Sequence, residues 1–151
     1  MNLTETADIV HWPESHYVFV EKVGPFAQTA PQAWQEARAT LKALAAKNQI
    51  LGFTSLYDAN KQVYRAGFTV AAMPLDLPEG LRYERFRGGR YCRFMLTGPY
   101  SELGEASGRV WDLVERNGIP VREDFAIENY VNNPHTTPEE ELITEILIPT
   151  A

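Results

Sequence analysis

The 151-residue chain carries one short pattern twice. Gly24-Pro25-Phe26 returns as Gly98-Pro99-Tyr100. Each copy follows a run rich in β-branched and aromatic residues. Each precedes an amphipathic segment bearing one tryptophan, Trp34 in the first half and Trp111 in the second. A strand pattern ending in tyrosine then follows, at Tyr57 and at Tyr130. A duplication of this size predicts two similar half-domains related by a pseudo-twofold axis. Two halves leave a seam, and seams between structural units are frequent places for small-molecule pockets.

The elements within each half can be read from periodicity and punctuation. Tyr17 to Val23 has strand composition, and Gly24-Pro25 ends it. Thr29 with Gln32 three residues on offers a capping box, and Pro31 falls in the expected first turn. Ala30, Trp34, Ala37, Leu41 and Leu44 repeat at helical spacing up to about Asn48. Leu51 to Tyr57 and Val63 to Ala72 read as strands around the Asp58-Ala59-Asn60-Lys61 turn. In the second half the order is Tyr91 to Thr97 (strand), then a helix capped by Ser101. The helix has Leu103, Ala106, Val110, Leu113 and Val114 on its apolar face and stops at Asn117-Gly118. Phe125 to Asn132 and Glu141 to Pro149 are the last strands. Trp34 lies ten residues after Gly24 and Trp111 thirteen after Gly98, so the repeat is architectural, with insertions. Met1 to Pro13 reads as a loose polar lead-in. The expectation is a single domain over residues 1–151, with half-modules at about 16–73 and 88–149 and a connector at 74–87.

Composition removes several function classes. A hydrophobic fraction of 44% over 151 residues suffices for a core. The net charge of −6 disfavours nucleic-acid and anionic-membrane partners, because phosphates are repelled. Cys92 is the single cysteine, which excludes an intrachain disulfide and suits a small core residue in a reducing compartment. No signal-peptide pattern and no membrane-length apolar run is present, so a cytoplasmic location is expected. His11, His16 and His135 lack zinc spacing, Gly88-Gly89 lacks the rest of a phosphate loop, and no Gly-x-Ser-x-Gly motif occurs. Ser107, on the second helix, reads as a spacer. No metal and no cofactor is expected. Arg82, Arg85, Arg87 and Arg90, interleaved with Tyr83 and Phe86, read as a solvated rim, and Glu139-Glu140-Glu141 as a solvated acidic turn.

The residue with the most chemistry is Glu128, in a strand otherwise made of Phe125, Ala126, Ile127, Tyr130 and Val131. Period two sets Glu128 and Tyr130 on one face and Ile127 and Asn129 on the other. On an apolar face an unpaired carboxylate either takes a proton or waits for a cation. A lone strand glutamate also fits a solvated edge or a salt bridge. By the repeat, Tyr57 matches Tyr130 and Ser55 matches Glu128. Trp34, Trp111 and Tyr57 fit a packed core as well as a pocket wall. Phe68 is a further lining candidate, as are Phe19, Tyr91 and Phe94.

Together, Gly24-Pro25-Phe26, Gly88-Gly89-Arg90-Tyr91 leading into Gly98-Pro99-Tyr100, and Ile127-Glu128-Asn129-Tyr130-Val131-Asn132-Asn133-Pro134 resemble the GyrI-like small-molecule-binding domains. Pro138-Glu139-Glu140-Glu141-Leu142, Thr144-Glu145-Ile146 and Ile148-Pro149 resemble that family's closing strand. The resemblance spans about residues 16 to 149. It includes effector-binding domains of AraC-type and MerR-type multidrug regulators and the gyrase-inhibitory protein, all bacterial-type proteins. It implies an α+β fold of tandem duplicated β-α-β-β modules with pseudo-twofold symmetry. These would form a curved antiparallel sheet with two helices on one side and a cavity between the modules, floored by a carboxylate that maps onto Glu128. No helix-turn-helix pattern flanks the domain, so the resemblance is to stand-alone members.

Three functions follow as expectations. The first is a binding protein that sequesters or senses amphipathic xenobiotics, cationic ones included, using Glu128, Tyr130, Tyr57, Trp111, Trp34, Ser55 and Phe68. The second is a hydrolase that opens strained cyclopropanoid electrophiles, with Glu128 and Tyr130 catalytic, as the resemblance implies for some members. The third is a protein inhibitor of a DNA enzyme such as gyrase, acting through the acidic surface. The first is preferred. The expected partner is therefore a small hydrophobic or amphipathic ligand, with any protein partner unknown.

Overall fold

A computed structural model describes residues 1–151. It contains β1 (Asn2–Leu3), β2 (Asp8–Trp12), β3 (Ser15–Val23), α1 (Phe26–Lys47), β4 (Ile50–Asp58), β5 (Val63–Val70), β6 (Arg82–Phe86), β7 (Gly89–Thr97), α2 (Leu103–Arg116), β8 (Ala126–Tyr130) and β9 (Ile143–Pro149). Short 3-10 turns at Tyr100–Glu102 and Glu139–Glu141 complete it. Nine strands, paired antiparallel, with two helices make the chain α+β, as expected. No helix is long and apolar enough to cross a membrane.

The chain divides into two compact units, Pro13–Gly88 and Met1–Trp12 with Gly89–Ala151. In the first, β3-α1-β4-β5 is followed by β6, and the strands lie in the order β4-β5-β3-β6. In the second, β7-α2-β8-β9 is preceded by β1 and β2, and the order is β8-β9-β7, with β1 and β2 both on the outer side of β7. Each unit is thus a β-α-β-β core plus an added antiparallel edge. That edge comes from the C-terminal side of one core and the N-terminal side of the other.

Two expectations are corrected at these edges. Residues 1–13 are not a loose lead-in: Asp8–Trp12 pairs with β7 from Asp8↔Arg93 to Trp12↔Gly89, and Asn2–Leu3 pairs at Thr97 and Leu96. Backbone groups of β7 that would otherwise be unpaired are satisfied by this segment, whatever its polarity. Likewise, part of the stretch expected as connector forms β6, paired with β3 from Ser15↔Phe86 to Phe19↔Arg82. The arginines of that stretch are exposed, and Arg82 and Arg85 form ion pairs with Glu21 and Glu14.

The helix starts also differ from the expected caps. Gly24 (φ +134°) and Gly98 (φ +151°) both occupy backbone space that side-chain-bearing residues avoid, which turns each strand sharply into its helix. After Gly24, Pro25 is the N-cap and α1 begins at once at Phe26. Thr29 is therefore inside the helix, its Oγ1 donating back to the carbonyls of Gly24 (3.4 Å) and Pro25 (3.2 Å), and no capping box forms. Pro31 becomes the sixth helical residue and removes the donor that would reach the Ala27 carbonyl. After Gly98-Pro99, a 3-10 turn intervenes, and Glu102, not Ser101, occupies the α2 N-cap.

Burial follows the amphipathic patterns with one rotation. The fully covered stripe of α1 is Thr29, Ala33, Ala37 and Leu44, so Ala33 replaces Ala30, and Trp34 and Leu41 sit at the margin. Small alanines let α1 pack closely on β3 and β5. In α2 the stripe is Ala106, Val110, Leu113 and Val114, and the expected Leu103 is only half-buried at the helix start. The core of the first unit includes Val18, Leu44, Ala66 and Phe68; that of the second includes Cys92, Phe94, Leu96, Ile146 and Ile148. Cys92 is buried in β7, and burial raises its thiol pKa, which suits a packing role.

Candidate functional site

Strand β8 is five residues long, and its pairing with β9 sorts every side chain. Ile127 and Asn129 oppose Leu147 and Glu145; Glu128 and Tyr130 oppose Ile146 and Thr144. Directly opposed residues share a face. Glu128, Tyr130, Thr144 and Ile146 therefore form one surface of this ribbon.

Glu128 is only 8% exposed, although it is surrounded in sequence by apolar strand residues. Its bond to a side chain is from Tyr130, whose hydroxyl donates to Oε1 at 3.1 Å. No lysine, arginine or histidine forms an ion pair with it. Burial pushes its pKa up to about 7, against the opposing pull of the Tyr130 hydrogen bond. The opposite face of the same ribbon shows what a paired glutamate looks like. Glu145 accepts from Arg93 Nη1 at 3.1 Å and from Asn129 Nδ2 at 2.7 Å.

Tyr130 also carries an aromatic contact. The Tyr100 ring meets it edge-on, centroids 5.4 Å apart and planes at 67°. Tyr100 is the aromatic of the second Gly-Pro-aromatic triplet. The first triplet repeats the arrangement: Phe26 meets Tyr57 at 5.7 Å and 76°. In both units, the aromatic at the turn into the helix braces the tyrosine of the next strand.

The first unit differs in chemistry at this place. Ser55 stands where Glu128 would be, and its Oγ lies 2.7 Å from the Tyr64 hydroxyl. Trp34 Nε1 donates to both, at 3.1 and 2.9 Å. Trp34 packs edge-on against Phe68 (6.2 Å), and Phe26 lies against Tyr64 (5.6 Å). Trp34, Ser55, Tyr57 and Phe68 are thus brought into one neutral cluster, with Ser55, Tyr57 and Phe68 buried. Arg38 stands over the Trp34 ring at 5.7 Å. Glu128 and Tyr130 form their own group in the second unit. Trp111 is half-buried on α2, eleven residues after Tyr100, whereas Trp34 is eight after Phe26, so the two tryptophans sit about one helical turn out of step.

Three residues of these clusters escape a reading by motif. Tyr100 lay within the repeated triplet, and the repeat itself is the signal that could have singled it out. Tyr64 is the cross-strand partner of Tyr57 through the Asp58–Lys61 turn. Thr144 is the partner of Tyr130 and so the counterpart of Tyr64. It is fully buried, and its Oγ1 has no hydrogen-bond partner.

A sequence model of the GyrI-like small molecule binding domain matches residues 6–151. No curated protein matches the chain in sequence. Among solved structures, the EcmrR C-terminal domain is similar with TM-score 0.77 at 16% identity, covering 97% of each chain. SAV2435, solved bound to tetraphenylphosphonium, is similar with TM-score 0.75 at 16% identity, covering 97% of this chain and 94% of its own. A hydrolase from Listeria innocua is similar with TM-score 0.64 at 14% identity, covering 97% and 92%. At these identities the likeness is one of fold.

Proposed function

Because this chain belongs to the GyrI-like small-molecule-binding domain family, we propose that it captures lipophilic cations through the face of β8 that bears Glu128 and Tyr130. The observation that carries this reading is the buried carboxylate held by a tyrosine and by no cation. An ionised carboxylate out of water lacks the partner that would offset its desolvation. An incoming organic cation supplies the charge and adds apolar contact, while Tyr130 and Tyr100 offer π-faces to it. The selection is for charge and oiliness rather than for one shape, which suits a binder of many xenobiotics. The bound SAV2435 shows that this fold accommodates such a cation in another protein.

The test is titration with tetraphenylphosphonium at pH 8, followed by calorimetry. Wild type is expected to bind, and Glu128→Gln to bind about tenfold or more weakly, since a desolvated charge pair is lost. Equal affinity of the two proteins removes Glu128 from the site.

A second reading has its own observation. A carboxyl group titrating at about 7 beside a phenol hydroxyl 3.1 Å away is placed for general acid–base work near neutral pH. The reaction would be opening of a strained cyclopropane electrophile: Glu128 delivers a proton to the carbonyl oxygen as the ring C–C bond breaks and its electrons pass to that carbonyl, water adds to the ring carbon, and the resulting Glu128 carboxylate takes the proton that the water loses. Mass spectrometry after incubation with such a compound detects the gain of one water. Recovery of the compound unchanged leaves the binding reading alone.

A further inference from the structure

Thr144 is the polar group on the Glu128 face that nothing in the protein satisfies. It is at 0% exposure, so solvent does not serve its hydroxyl. Its Oγ1 lacks any hydrogen-bond partner. A buried hydroxyl left unmade is costly, and such a group in a folded protein asks for a reason. Its counterpart in the first unit shows the satisfied alternative: there the Tyr64 hydroxyl joins Ser55 and Trp34. Thr144 has been left out of any such network, one cross-strand step from Tyr130.

We propose that Thr144 is a specificity-determining residue whose hydroxyl hydrogen-bonds an acceptor oxygen of the bound ligand, so that the preferred ligands are lipophilic cations carrying a carbonyl or ether oxygen near the charge. The inference rests on the reading of this face as a cation site. The donor count on the face sets the polarity of the ligand group. Ionised Glu128 can only accept, so it takes the ligand's charge and any N–H it offers. The Tyr130 proton is committed to Glu128. The Thr144 proton is uncommitted, and a ligand oxygen is what it lacks.

The experiment uses the full chain, Thr144→Val, and two quaternary ammonium probes that differ by one carbonyl oxygen: a phenacyl-bearing benzyldimethylammonium and its phenethyl counterpart. Valine keeps the branched shape and removes the hydroxyl. Wild type is expected to prefer the phenacyl probe by about 3- to 10-fold, and Thr144→Val to bind both alike, the net worth of one hydrogen bond. If the wild type and the variant both bind the two probes equally, Thr144 has no such role while the cation site stands. If neither probe binds wild type, the cation reading and this inference fall together. A second measurement needs no ligand. The variant's melting temperature is expected to rise by about 2–4 °C, because an unsatisfied hydroxyl becomes a methyl group. A fall in melting temperature means that the hydroxyl was already satisfied in the free protein and overturns the proposal.

Discussion

Tyr130 turns back along its own strand and donates its hydroxyl proton to Glu128, two residues before it, at 3.1 Å. Residues two apart on a strand share a face, so the contact is local and holds the carboxylate without neutralising it. Arg93 does the opposite on the far face, where it pairs with Glu145 at 3.1 Å. The same two-stranded ribbon thus presents one compensated and one uncompensated glutamate.

The uncompensated one makes stability depend on pH. In the folded state Glu128 titrates at about 7, against an ordinary value of 4.5. Between these values the folded protein holds a proton that the unfolded chain has lost. This group's contribution is therefore fully present below about pH 4.5, declines as pH rises toward 7, and is gone above it. The separation corresponds to roughly 3 kcal/mol as an upper figure. Glu128→Gln, which is neutral throughout, is expected to be more stable than wild type at pH 8 and close to it at pH 4.5. Urea denaturation at the two pH values checks this, and parallel curves for the two proteins contradict it.

Removing the tyrosine hydroxyl shifts the same titration. The Tyr130 bond favours the ionised carboxylate and so opposes the effect of burial. Tyr130→Phe keeps the ring and its edge-on contact with Tyr100 while deleting that bond. The Glu128 pKa is expected to climb by about one further unit, the worth of a hydrogen bond to a charged group. Carbon-13 NMR of the glutamate side chains follows it directly. A midpoint that stays in place shows that the hydroxyl does not serve the carboxylate in solution.

The β-α-β-β order of both units is legible in the chain because it is written in local signals: β-branched runs, Gly-Pro stops and helical periodicity. The same holds for the shared face of Glu128 and Tyr130, which period two dictates. What local signals miss is non-local. The pairing of Asp8–Trp12 with β7 depends on an open edge nearly eighty residues away. The helix starts depend on backbone angles at Gly24 and Gly98, which override the capping pattern at Thr29 and Ser101. That Glu128 is buried and Thr144 unpartnered depends on what surrounds them in space, and an absent partner leaves no mark in a sequence. Tyr64 belongs to the Trp34–Ser55 cluster only through the register of β4 on β5.

The duplicated glycines carry a conformational demand that can be measured. At Gly98, φ is +151°, and a Cβ would lie 2.8 Å from a Glu102 carboxylate oxygen. The Glu102 carboxylate is the end of a flexible side chain and can swing aside, so the positive φ sets the cost, and Gly98→Ala is expected to cost about 1–3 kcal/mol. Gly24→Ala, at φ +134° with only the Thr29 methyl nearby at 3.4 Å, is expected to cost a similar amount. Urea denaturation of both variants measures it. A loss below about 0.5 kcal/mol at either position means that the strand-to-helix turn does not need the glycine there.

Cation capture by Glu128 also fixes how affinity varies with pH. Only the ionised form attracts a permanent cation, and ionisation is complete well above about 7. Affinity for tetraphenylphosphonium is therefore expected to be flat above about pH 8 and to fall below pH 7 toward the level of Glu128→Gln. Binding at pH 6 then expels a fraction of a proton, whereas binding at pH 9 expels none. Calorimetry in two buffers of different ionisation enthalpy counts that proton, and Glu128→Gln should show neither the slope nor the release. A wild-type affinity that is level from pH 5 to 9 means that the cation is held by the rings alone, with the carboxylate a bystander.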